Sequence, residues 1–369
     1  MSNSNEHFQF TDERFADLQM LRYRLNGFED LTLSQQIYIY CLAKATLMGR
    51  DITFDQQGKY NLRIRKTLEA IYKHYDGDRT SDDFKALEVY LKRVWFSSGI
   101  YHHYGCEKFK PGFSEHFFYE AVSLMPETEL PLRRGETKED LLDELVPVIF
   151  DEEVLPKRVN QTDGVDLVAT SACNFYEDVT QDEVERFYAR LKDGEDLTPP
   201  SYGLNSKLMK RNGEIVEKTW KEEGMYGSAI KEIISWLLKA QKYTENEQQA
   251  HVIDLLIKYY RTGDLSDFDR YSIAWVKQQE GMVDFINGFI EVYGDPLGLK
   301  GTWEGLVEFK DMEATRRTQA ISQNAQWFED HSPVAPQFKK AEVKGVTAHV
   351  ICAAMLGGDE YPASAIGIT

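Results

Sequence analysis

The segment Gly288–Phe309, GFIEVYGDPLGLKGTWEGLVEF, holds two side chains whose types and spacing suit chemistry: the carboxylate of Glu291 and the phenol of Tyr293. In an extended strand, side chains at i and i+2 point to one face and lie about 7 Å apart. That is roughly the span of an extended dipeptide. A carboxylate so placed can hold a free α-ammonium, while the phenol donates a hydrogen bond to the carbonyl two residues on, where negative charge develops during hydrolysis. Exposed strands also carry Glu and Tyr for solubility and cross-strand packing, and spacing alone leaves that alternative open.

The elements that must position this pair are predicted from periodicity. β-Branched and aromatic residues over Val283–Tyr293 and Thr302–Phe309 flank Gly294-Asp295-Pro296-Leu297-Gly298, turn chemistry suited to a hairpin. Helical patterning dominates the first two thirds. Thr32 with Gln35, Thr80 with Asp83, Thr137 with Asp140 and Thr180 with Glu183 read as capping pairs. Ile230, Ile233, Ile234, Leu237 and Leu238 form an i, i+3, i+4, i+7, i+8 stripe, and Val252, Leu255, Leu256, Tyr259 and Tyr260 repeat it. Phe84, Leu87, Leu91, Val94 and Trp95 mark a further helix. Short strands are predicted over Val165–Thr170 and Gly213–Lys218, a helix over Asp311–Glu329, and an apolar β-branched stretch over Val346–Met355.

A metal site would need ligands in register. None of the eight histidines has a partner four residues away, and adjacent His102 and His103 point in different directions on a helix. Cys41, Cys106, Cys173 and Cys352 are dispersed, without a Cys-x-x-Cys pair, and read as buried free thiols. The charge of −18 argues against a nucleic-acid surface and against anionic membranes. No apolar run approaches the ~20 residues of a membrane span. With 42% hydrophobic residues the composition is that of a folded chain, and the absence of a leader pattern at the N-terminus makes cytoplasmic residence the expectation.

Five segments, in order, resemble the dipeptidyl-peptidase III family of zinc exopeptidases: Gly99–Pro111 (GIYHHYGCEKFKP), Tyr202–Leu208 (YGLNSKL), the Glu291/Tyr293 block, Asn324–Pro333 (NAQWFEDHSP) and Leu356–Thr369 (LGGDEYPASAIGIT). The resemblance implies an α+β, mainly helical fold. Residues 1–310 would form a helical lower lobe with a small β-core carrying the hairpin at 283–309. Residues 311–345 would make the first helical excursion into an upper lobe, and 346–369 would return as a substrate-edge strand.

It implies an enzyme that removes dipeptides from the N-termini of oligopeptides. Glu291 would bind the amino terminus and Tyr293 would stabilise the oxyanion. Gly367, Ile368 and Thr369 would accept the substrate backbone as an added strand. Thr369 stands where the family has an asparagine, keeping a hydroxyl but losing the amide fork. The family's zinc motif, His-Glu-x-x-Gly-His with a downstream acidic helix, is not found in these residues. The expectation is therefore an N-terminal portion carrying the peptide-binding side of the cleft, inactive alone and binding no zinc, with a C-terminal zinc lobe as possible partner. The alternatives are a non-catalytic peptide-binding module and an inert truncated fragment.

Overall fold

The computed structural model describes residues 8–192, 194–343 and 349–358. A hairpin of β1 (Thr11–Phe15) and β2 (Leu18–Leu21) precedes six helices: α1 (Leu33–Met48), α2 (Arg50–Gln56), α3 (Asn61–His74), α4 (Asp82–Phe96), α5 (Glu115–Leu124) and α6 (Lys138–Phe150). Next come β3 (Tyr176–Glu177), α7 (Gln181–Ala189), β4 (Ser206–Arg211), β5 (Glu214–Thr219), α8 (Gly227–Ala240), α9 (Glu247–Thr262) and α10 (Leu265–Lys277). The described residues end with β6 (Val283–Glu291), β7 (Thr302–Lys310), α11 (Met312–Gln323), α12 (Ala325–His331) and β8 (Ile351–Gly358). The fold is α+β and mainly helical, as expected.

Local chemistry sets most boundaries. Thr32, Thr137 and Thr180 each complete a capping box with Gln35, Asp140 and Glu183. The fourth expected cap is displaced by one residue. Asp78 captures both the backbone N–H (2.8 Å) and the hydroxyl (2.6 Å) of Thr80, leaving Ser81 to accept from the N–H of Phe84 and start α4. Val165–Thr170 is a turn and not a strand. The Asp166 carboxylate accepts from the N–H groups of Ala169 (2.8 Å) and Gln181 (3.0 Å), drawing the backbone away from extended pairing. The strand predicted over Gly213–Lys218 does form, as β5. Asn212 and Gly213, both at positive φ, make its turn from β4.

The helical stripes pack as predicted but more narrowly. Ile230, Ile233, Ile234 and Leu237 of α8 are buried while Leu238 is exposed; on α9 Leu255 is only partly covered. These residues join α1 and one face of a three-stranded antiparallel sheet, ordered β6-β7-β8, in the largest apolar cluster. A second cluster unites α3 to α6, and a small third lies around α7 and β4. The single helix expected over Asp311–Glu329 is broken at Asn324, whose side-chain amide donates to Ala320 O (2.7 Å) at φ −105° and ψ 17°. Cys41 and Cys173 are buried free thiols, whereas Cys106 and Cys352 are only half-buried, on a turn and on the edge strand β8. No helix among the described residues is long and apolar enough to cross a membrane.

The start of β6 is tied down by Glu245. Its carboxylate accepts from the backbone N–H groups of Met282 and Val283 (each 2.9 Å at Oε2) and from the Gln35 amide (2.7 Å). Burial pushes this carboxyl up, but the donors outweigh it and hold it below the ordinary range. The strand carrying the candidate site is thereby fixed to α1.

Candidate functional site

The sheet has two unlike faces. Phe285 and Phe289 of β6, with Trp303, Val307 and Phe309 of β7, alternate onto the face covered by α1, α8 and α9. Asp284 and Ile286, with Glu304, Leu306 and Glu308, point to the opposite face, along which α10 lies. Strict alternation would send Glu291 inward beside Phe289. A register shift between Phe289 and Glu291 prevents this: Phe289 pairs with Trp303 and Glu291 with Thr302, so β6 carries one extra residue. Ile290 and Glu291 consequently line the same cavity of about 260 Å³, together with Glu304 of β7 and Phe268, Tyr271 and Trp275 of α10.

The strand expected to reach Tyr293 ends at Glu291. Tyr293 instead occupies a turn, closed by the Asp295 N–H donating to Val292 O (3.1 Å), and is 80% exposed. Strand alternation therefore does not relate the two residues. The bulge turns Glu291 outward and the Gly294-Asp295-Pro296 sequence then bends the chain, placing Tyr293 at the surface one turn beyond the strand.

That turn is built on buried polar groups. The Asp295 carboxylate, 2% exposed, accepts from the N–H groups of Leu297 (3.2 Å), Leu299 (2.8 Å) and Lys300 (2.9 Å) and from the Tyr176 hydroxyl (2.8 Å). Lys300 is fully buried, donates to Ser206 (3.1 Å) and Tyr188, and burial lowers its ammonium to about 8. The returning strand is held by Gln56, whose amide donates to Gly301 O (3.1 Å) and accepts from Trp303 N–H (2.8 Å).

The helix α10 is locked to β6 by the Trp275 indole, which donates to Asp284 (3.1 Å) and to Phe285 O (2.8 Å). Beyond Trp275 a second cavity of about 560 Å³ contains Asp284, Glu308, Leu306, Leu356 and His349. Burial raises the Asp284 carboxyl to about 6; burial and the neighbouring Asp284 raise Glu308 to about 7. Sequence reasoning singled out neither these two acids nor Glu304 and Trp275. A usable signal was present: Glu304 and Glu308 stand four residues apart on one face of a strand whose other face carries the large apolar residues Trp303, Val307 and Phe309.

Of the five residues expected at the site, Glu291 and Tyr293 are described, and Gly367, Ile368 and Thr369 lie outside the described residues. His102 and His103 stack on each other at 4.4 Å, with His102 Nδ1 accepting backbone N–H groups from Tyr104 (3.2 Å) and Gly105 (3.0 Å). Among the described residues no three His, Cys, Asp or Glu side chains converge to hold a metal ion.

Comparison with known proteins shows what this chain is similar to. A family model for peptidase family M49 matches residues 202–346, a stretch that includes β6, the turn and β7. Dipeptidyl peptidase 3 of Dictyostelium discoideum is 21% identical over 345 residues, covering 86% of this chain and 48% of the relative. The human dipeptidyl peptidase 3 is 22% identical over 347 residues, covering 85% of this chain and 47% of its own length. The chain thus spans about half the length of the curated relatives it matches. The solved structure of DPP III from Caldithrix abyssi shares the fold, with a TM-score of 0.61 at 16% identity over 91% of this chain and 51% of that one. The structure from Corallococcus sp. strain EGB gives a TM-score of 0.57 at 15% identity. Sequence order, the matched family model over residues 202–346 and the shared fold agree, and the chain is similar to the dipeptidyl peptidases of peptidase family M49.

Proposed function

We propose that this chain supplies the peptide-binding wall of a dipeptidyl peptidase, engaging oligopeptides through their free N-termini. In this reading Glu291 receives the α-ammonium and Tyr293 donates to the carbonyl two residues on. The observation that carries it is the bulge at the end of β6, which turns Glu291 away from the apolar core and onto the rim of an aromatic-walled cavity beside Glu304. A strand end that turns one carboxylate toward a cavity, in a chain whose curated relatives are named dipeptidyl peptidases, favours amine recognition over cross-strand packing. The edge segment containing Gly367, Ile368 and Thr369 belongs to the same proposal as the acceptor of substrate backbone. So do the division of the chain near residue 310 and a cytoplasmic setting.

The family's hydrolytic step uses zinc. Our proposal assigns binding to this chain and leaves zinc, and the residues that would hold it, to a complementary lobe. Calorimetric titration with a tetrapeptide tests the assignment. Replacing Glu291 by Gln removes a charge-assisted hydrogen bond worth about 1.5–3 kcal/mol, so affinity for the free peptide falls roughly tenfold or more. An N-acetylated peptide loses little. Equal losses for both peptides would remove Glu291 from the amine site.

A further inference from the structure

Tyr293 makes no hydrogen bond of its own among the described residues, so its position is set by the backbone turn that bears it. That turn has one polar hub. The Asp295 carboxylate gathers three backbone N–H groups from within the turn, and a fourth donor arrives from outside it, the hydroxyl of Tyr176. Tyr176 belongs to β3, held in register by pairing with Leu208 of β4. Its ring also faces the buried Lys300 ammonium at 5.6 Å, at the far end of the same turn. The neighbouring Phe175 packs under Gly294, where a side chain would collide with the Thr302 hydroxyl at 2.9 Å. One residue of the β3-β4-β5 sheet therefore reaches both ends of the turn.

We infer that Tyr176, acting through Asp295, is a positioning residue for Tyr293: its phenol ties the turn to the second sheet and fixes where the exposed hydroxyl stands. The inference rests on the reading of Tyr293 given above. Burial of Asp295 disfavours its charged form, so each donor matters to keeping the carboxylate ionised and the turn closed. Losing the Tyr176 hydroxyl leaves three backbone donors in place, so the turn loosens and the chain still folds. Replacing Asp295 removes the hub itself.

The test places 3-fluorotyrosine at position 293 and reads its ¹⁹F resonance, with thermal melting to establish folding. In Tyr176→Phe the resonance shifts or splits; in a distant control, Tyr259→Phe, it stays in place. An unchanged resonance in folded Tyr176→Phe overturns the inference whether or not peptide binds. A double-mutant cycle on tetrapeptide affinity gives the second readout. Tyr176→Phe weakens binding at least threefold in the native background and not at all in Tyr293→Phe. Where Tyr293→Phe itself weakens binding, additive losses would show that Tyr176 acts independently of Tyr293 and would also overturn it. If the resonance moves while Tyr293→Phe binds peptide like the native chain, positioning stands and the peptide-contact role of Tyr293 falls.

Discussion

Asp284 and Glu308 stand directly opposite each other across β6 and β7, two carboxyls on the partly covered face of the sheet. Both are raised, to about 6 and about 7, by burial first and, for Glu308, by the charge of its neighbour. Folding thus favours their protonated forms. Unfolded carboxyls titrate near pH 4, so the cost of ionising the pair is absent below that and grows until the pH passes about 7. Stability should fall over that window. Glu308→Gln should stabilise the chain by roughly 1–3 kcal/mol at pH 8, with the advantage gone at pH 4. Melting temperatures of both proteins across pH 4–8 check this; parallel curves would mean the two carboxyls are not coupled to folding.

Lys300 predicts the opposite slope at higher pH. Its ammonium is depressed to about 8 by burial, against about 10.4 for a free lysine, so the folded state favours the neutral amine. The cost is full below pH 8 and is relieved as pH climbs towards 10. Thermal melting over that range should show a stabilising rise that Lys300→Met lacks. A rise of the same size in the variant would assign the slope to other groups.

Gly49, at the junction of α1 and α2, lies against the ring of Trp303 in β7. A β-carbon there would collide with three ring atoms of Trp303, which is fully buried. Gly49→Ala should therefore cost roughly 2–3 kcal/mol or more through overpacking. Denaturant unfolding measures it, and a midpoint equal to that of the native chain would show that the indole can yield.

Much of this was legible in the sequence, for identifiable reasons. Helix caps at Thr32, Thr137 and Thr180 depend on residues three apart, and the Gly294-Asp295-Pro296 turn on the intrinsic conformations of those residues. What failed depended on competition or on register. Asp78 took the donors that would have made Thr80 a cap, and Asp166 did the same to a predicted strand. The bulge at Phe289–Glu291 is invisible to a period-two count, because it arises from how β6 meets β7. Glu291 and Tyr293 are two residues apart in sequence, yet the strand geometry that would join them is absent, because β6 ends at Glu291. Of the partners that shape their surroundings, Glu304 and Trp275 sit on the adjoining strand and helix, whereas Tyr176 reaches Asp295 from 119 positions earlier in the chain.

The central claim is that the wall built by β6 and its turn recognises a free amino terminus. Titrating the chain with one tetrapeptide in free and N-acetylated forms tests it most directly. The account predicts that acetylation, which removes the positive charge from the nitrogen facing Glu291, weakens binding at least tenfold. Equal affinity for the two forms would contradict it.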